Sequence, residues 1–291
     1  MTQIVLQHYE KPAARRHLWV GLLMALVGIV FGIDQAVQWL SAHPMAARGL
    51  EASLLAGAAT GLGAIPVLML HRPSERLMAP MLGLAGGMML AASLFSLLVP
   101  AVQTVAASGT PWALGIATAV ALLAGAGAMQ TLDRRLPHAH VENVDANAIL
   151  PNVSLVVAAI SIHNIPEGLA VGVAAAAGAD HGMSLGIALQ NIPEGWIVAS
   201  AMITLGAAPL RAALIALATG LVEPLGGLFG VVASSVAGAA LPLALAAAAG
   251  AMLWVVSHEM IPASHRPGRI GAGTAGLVAG FAVMTTLASI Y

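Results

Sequence analysis

The chain alternates long apolar runs with short polar breaks, and the runs are too long for the interior of a soluble domain. No charged residue falls between Ala52 and Leu70, and none between Leu77 and Leu132. A helix rising ~1.5 Å per residue needs about 20 apolar residues to cross ~30 Å of hydrocarbon, so the second run must hold two helices. Ala107-Ser108-Gly109-Thr110-Pro111 is the break between them. The pattern predicts helical spans near residues 18–40, 52–70, 77–105, 112–131, 148–177, 184–205, 210–235, 240–262 and 270–290, nine in all. Residues 1–17 form a polar tail ahead of the first span. A signal peptide would have a shorter apolar core and a small-residue cleavage site, so 18–42 is expected to stay as an extra N-terminal span. Its one acidic residue, Asp34, lies near its outer end.

Composition narrows the class. Hydrophobic residues make up 59% of the chain and charged ones 8%, against about 25% charged in an average soluble domain. The expected fold is therefore an all-α polytopic membrane protein, with the lipid bilayer as its first partner. Charge placement supports the span count. With the N-terminus inside and the C-terminus outside, nine spans put Lys11, Arg15, Arg16, Arg72, Arg76, Arg134, Arg135, Arg211, Arg266 and Arg269 on the cytoplasmic side and leave Arg48 outside, as the positive-inside rule requires. The net charge of −1 and the lack of a basic run argue against a nucleic-acid partner. With no cysteine there is no disulfide framework and no thiolate metal site, so any metal must be held by imidazole, carboxylate, amide or thioether.

Two of the spans carry residues that an apolar helix should avoid. His163-Asn164-Ile165-Pro166-Glu167-Gly168 has a near copy in Gln190-Asn191-Ile192-Pro193-Glu194-Gly195. Each copy sets a metal-type ligand and a carboxylate at i and i+4, on one helix face. An uncompensated charge at bilayer depth costs at least ~2.5–3.5 kcal/mol, so such residues mark a functional site by default. Pro166 and Pro193 have no N–H, which leaves the carbonyls of Ile162 and Leu189 without helical partners. Glu223-Pro224 repeats the pairing of Glu with Pro in the 210–235 span. Because the two copies lie on consecutive spans of opposite direction, they form the trace of an inverted repeat. A single His-x-x-x-Glu on an apolar helix would be explained as well by a satisfied buried pair. Two copies with the same Pro-Glu-Gly ending are not.

These motifs resemble those of the ZIP family of divalent-metal transporters, in its bacterial form, over roughly residues 50–291. The resemblance implies an eight-helix domain over 49–291, to which the 18–42 span is an addition. It further implies a mobile part of about 50–70 and 148–235, a scaffold of about 77–131 and 240–290, and pairing into a homodimer. In the family the glutamate corresponding to Glu223 joins the site. The resemblance thus implies one divalent cation held by His163, Glu167, Gln190, Glu194 and Glu223, with Asn164 and Asn191 on the flank helping to hold a second. It also implies a residue of the 77–105 span near the metal, for which Met89 and Ser96, seven apart, are the candidates. His258 and Glu259, at the inner end of the 240–262 span, are candidates for an exit or relay site. The expected role is import of Zn²⁺ through the bacterial inner membrane by alternating access, with Cd²⁺ as a substitute and iron or manganese as further cargo.

The donor set agrees with that cargo. Mixed nitrogen and oxygen ligands with a thioether nearby suit borderline ions such as Zn²⁺, Cd²⁺ or Fe²⁺, whereas oxygen-only sites suit Mg²⁺ or Ca²⁺. Other classes fit less well. No Walker A motif is present to power an ATP-driven pump, and no His-Glu-x-x-His to arm an intramembrane protease. A scaffold stabilised by a structural metal would not need carboxylates on three proline-bearing helices. His138 and His140, in the loop at 133–147, would bind metal weakly if at all.

The second motif copy carries a testable asymmetry. Asn191 offers one neutral carbonyl oxygen where aspartate would offer a charged pair, so the flanking ion should bind more weakly than the one at His163 and Gln190. Metal titration of the purified protein beside its Asn191→Asp variant is expected to show a tightened second binding event in the variant. Two equal, tight events in the unmodified protein would overturn the expectation.

Overall fold

The computed structural model describes residues 24, 27, 30–32, 34–69, 75–107, 110–135, 149–176, 178, 182–236 and 241–290. The polar tail, about half of the 18–40 span, Arg72, and the loop holding His138 and His140 lie outside them. Among the described residues the structure is made of helices joined by short turns, with no strand. Its elements are α1 (Pro44–Met69), α2 (Glu75–Ala91), α3 (Val99–Ala106), α4 (Pro111–Arg135), α5 (Ile149–Ala176), α6 (Gly182–Thr204), α7 (Pro209–Gly220), α8 (Glu223–Val236), α9 (Leu241–Val255), α10 (Ile261–Ser264) and α11 (Ile270–Ile290). Among the described residues six stretches are long and apolar enough to cross a membrane by length and composition: Pro44–Met69, Arg76–Ala106, Trp112–Arg135, Pro209–Ala233, Leu241–Ser264 and Ile270–Ile290. The helices α5 and α6 have the length as well, and they carry the polar motifs. The chain is a multi-pass α-helical membrane protein.

Several boundaries depart from the pattern-based expectation. The helix expected at 52 begins at Pro44, and only His43 separates it from the helical residues 34–42. Pro44 explains the restart, since its fixed φ and missing N–H suit a first helical position. The His43 ring closes the preceding turn, with Nδ1 2.8 Å from the Trp39 carbonyl and the two rings stacked. The 210–235 span is two helices, interrupted at Leu221 and Val222 directly before Glu223. By contrast, Pro166 and Pro193 lie inside continuous helices.

The sequence reading also missed two π-helical stretches, Ala92–Leu98 between α2 and α3 and Val256–Met260 between α9 and α10. Each ends two residues before a proline, Pro100 and Pro262. Proline cannot donate to the carbonyl four residues back and its ring presses on it, so the preceding turn widens. Ser96 lies inside the first stretch and Met89 three residues ahead of it, so regular α-helix does not join the two.

The packing sorts the helices into groups. The helices α1, α5, α6, α7 and α8 lie chiefly against one another, while α2 lies along α11 and α4 along α9. Inside these pairs the backbones almost touch. A Cβ on Gly168 would run into the Glu223 carbonyl oxygen, one on Gly195 into that of Thr60, and one on Gly276 into that of Pro80. Between the groups the contact is made by side chains. One buried cluster joins Ala170, Val171, Met183 and Ile187 of α5 and α6 to Met88, Met89, Met252 and Met284 of α2, α9 and α11.

These contacts also fix helix direction. Gly83 faces Gly273 and Gly87 faces Leu277, so α2 and α11 run parallel; Gly168 faces Glu223 and Gly172 faces Gly227, so α5 and α8 do too. Gly49 faces Val231 while Gly57 faces Gly220, so α1 runs against α7 and α8. In consequence Arg76, Arg134, Arg135, Arg211, Arg266 and Arg269 gather at one end of the bundle, with Arg48 at the other. That is the grouping of the described arginines that the alternation of spans implies.

The glycine contacts yield opposite expectations at two kinds of position. In open helix, Gly→Ala is favourable by ~1 kcal/mol, and nothing lies near a Cβ at Gly127. At Gly168 and Gly195 the added methyl must push two backbones apart, at a cost of ~1–3 kcal/mol. Thermal unfolding in detergent should therefore show lower midpoints for Gly168→Ala and Gly195→Ala, and a midpoint unchanged or raised for Gly127→Ala. Equal midpoints in all three would contradict the close approach.

Candidate functional site

Three helices supply the buried polar residues. One turn of α5 carries His163, Asn164 and Glu167, the matching turn of α6 carries Gln190, Asn191 and Glu194, and Glu223 opens α8 just past the helix break. Asn164, Glu167, Gln190, Asn191 and Glu223 are fully buried, and His163 and Glu194 are 9% exposed. The two motif glycines allow this convergence. Gly168 lets α8 lie against α5 at the level of Glu223, and Gly195 lets α1 lie against α6.

The amide groups set the geometry. Gln190 donates from Nε2 to Glu167 Oε1 at 2.7 Å. Asn191 donates from Nδ2 both to Glu223 Oε1 at 2.6 Å and to the Ala56 carbonyl at 2.8 Å, tying α6 to α8 and α1. Asn164 donates to the Thr219 carbonyl at 2.9 Å, near the end of α7. Every side-chain NH₂ is thus spent on an oxygen, and the other oxygen of each group is left over. Glu167 Oε2, Gln190 Oε1, Asn164 Oδ1, Asn191 Oδ1 and Glu223 Oε2 are all buried without a hydrogen-bond partner. An unsatisfied buried polar atom costs ~1–3 kcal/mol. Oxygens of this kind on three adjoining helices suit a cation, which takes up lone pairs without requiring an acceptor in return.

The expected ligands are only partly brought together. Glu167 meets Gln190, and Glu223 meets Asn191, as the inverted repeat suggests. Glu194 lies within electrostatic reach of Glu167, Glu223 and His163. His163 turns elsewhere, with Nε2 3.0 Å from Glu259 Oε1. Among the described residues no three His, Asp or Glu side chains form a ready-made cage. The reason is visible in the pairing, since the side chains that would close such a cage are turned to separate partners.

The pair His258 and Glu259, expected to act together, is split. The π-helical stretch points Glu259 at His163, whereas His258 lies 3.6 Å from Asp133 Oδ2 and stacks on Trp254 at 5.1 Å. Asp133 was assigned to a charged loop by the sequence reading, but it belongs to the last turn of α4. Met89 is 2% exposed within the apolar cluster, and Ser96 is half-buried. The carbonyls of Ala56 and Thr219 were not foreseen. Gly57 and Gly220, each beside one of them, were the available signal.

An inverted pair of helices with carboxylates, amides and a helix break at one level defines a class, the multi-pass membrane proteins that handle metal ions. The family model described as ZIP zinc transporter matches residues 135–288. Zinc transporter GufA of Myxococcus xanthus is 45% identical over 246 residues, which is 82% of this chain and 97% of that protein. Zinc transporter ZIPB of Bordetella bronchiseptica is 45% identical over 240 residues, 79% of this chain and 77% of that one. Zinc transporter ZupT of Escherichia coli is 34% identical over 243 residues, 80% and 92% of the two chains. The chain belongs to the ZIP family. It is a metal-ion transporter and not an enzyme.

Proposed function

We propose that the chain imports a divalent transition metal into the bacterial cytoplasm, with zinc as the main cargo and cadmium as its substitute. The observation that carries this is the set of five buried, unpartnered oxygens on α5, α6 and α8. That the relatives are named zinc transporters supports the choice of ion. Iron and manganese are further cargo, because the same nitrogen and oxygen donors accept them more weakly. His163, Glu167, Gln190, Glu194 and Glu223 hold the ion, His163 by turning back from Glu259. A second, weaker position lies beside it at Asn164 and Asn191.

Transport proceeds by alternating access. The group α1 and α5 to α8 moves as a body, because its glycine contacts leave no slack, against a scaffold of α2 to α4 and α9 to α11. Sliding is concentrated at the methionine-rich cluster, where flexible thioethers adapt to shifted neighbours. Met89 belongs to that wall. On the arginine-rich side, taken as cytoplasmic, Glu259, His258 and Asp133 receive the departing ion. The protein resides in the inner membrane as a homodimer, and its 18–42 span is dispensable for ion binding. No fuel is needed, since a dication entering a cell at about −100 mV gains ~4.6 kcal/mol, enough for roughly 10³-fold accumulation.

Uptake of Zn²⁺ and Cd²⁺ into proteoliposomes tests the reading. His163→Ala and Glu167→Ala should each reduce uptake by about tenfold or more, one lost ligand contact being worth at least ~1.4 kcal/mol, while insertion into the membrane is unaffected. Near-normal uptake by a well-inserted Glu167→Ala protein would sink the assignment.

A further inference from the structure

A carrier that works without fuel must return empty, and the empty site holds carboxylates at bilayer depth. In this structure each of two carboxylates already has a substitute for the ion. Gln190 gives an N–H to Glu167, and Asn191 gives one to Glu223. We propose that Gln190 and Asn191 act as stand-in donors that partner the carboxylates once the ion has left, and so permit the unloaded protein to reorient. The proposal rests on the carrier reading above.

Amides suit this task for a chemical reason. Each carries an acceptor and a donor on one carbon, so the same side chain offers oxygen to a bound ion and N–H to a bare carboxylate. Gln190 is built to alternate. Its Oε1 is buried and unpartnered, so the bond to Glu167 is what holds the amide, and an ion that takes over Glu167 frees it to turn about its last torsion. Asn191 is anchored on the Ala56 carbonyl and acts from a fixed position. His163 follows the same logic on the scaffold side, leaving the ion position to meet Glu259. A glutamate at 190 keeps the shape and the acceptor oxygens but has no N–H to give while ionised. It would hold an ion at least as well and leave the empty site with one more unpartnered charge. The return step then slows, whereas exchange of one bound ion for another, which never passes through the empty state, does not depend on the donor.

The experiment compares two modes in the same proteoliposomes. Net uptake is measured as labelled Zn²⁺ entering vesicles that contain none, and exchange as labelled Zn²⁺ entering vesicles preloaded with unlabelled Zn²⁺. For Gln190→Glu and for Asn191→Asp the ratio of exchange to net uptake should rise about tenfold or more over the unmodified protein, the shift that a return barrier raised by one tenfold step produces. Gln190→His should bring the ratio back towards the original value, since a neutral imidazole again offers both an N–H and an acceptor nitrogen. An unchanged ratio in both acidic variants, with zinc still bound on titration, would overturn the stand-in role and leave the cargo site intact. Failure of the cargo site looks different. Purified unmodified protein that binds no zinc would overturn both.

Discussion

Carboxylate burial is the constraint on which the rest of this structure depends. Glu167 and Glu223 are fully enclosed at the middle of an apolar bundle, where an ionised group without a partner is expensive. The surrounding features follow from supplying partners that are present yet incomplete. Amides take one oxygen of each carboxylate, backbone carbonyls anchor two of the amides, and glycines bring the helices close enough for those bonds to form. A fully satisfied site would have no reason to release its amides to a metal. A bare one would not assemble.

Symmetry is kept where it serves this arrangement and dropped elsewhere. Both motif copies have Asn, Pro, Glu and Gly in the same order, and both glycines lie against a neighbour's carbonyl oxygen. They differ at the first position, and the difference has a structural counterpart. Histidine at 163 reaches out of the helix group to Glu259, whereas glutamine at 190 stays inside it on Glu167. The first copy is therefore connected to the scaffold and the second to the core of its own unit.

Much of this was legible in the sequence. The final helix was read as 270–290 and observed as Ile270–Ile290, and the two motif helices were read to within two residues at each end. Long uncharged runs leave little choice in a bilayer. The buried carboxylates were found through their cost, which depends on residue type and so is written in the chain. What escaped has no residue type. The carbonyls of Ala56 and Thr219 belong to the backbone, and their exposure to Asn191 and Asn164 depends on how closely α1 and α7 approach. The π-helical stretches needed the effect of Pro100 and Pro262 to be traced backwards along the helix. That effect sets Glu259 against His163 and His258 against Asp133, a division of two neighbours that residue type does not announce.

The two kinds of seam between helices should also leave a mark on how such a chain can drift. Along the seams where glycine meets a carbonyl oxygen, every larger residue is refused by volume, whatever its chemistry. Along the methionine-rich seam, exchanges among methionine, leucine and isoleucine lose little, since unbranched thioethers and aliphatic chains refill one another's space. Neutral variation is thereby channelled into the surface between the helix groups. A lineage can retune how easily that surface shears, and with it the pace of the protein, while the carboxylates and their amides keep their positions.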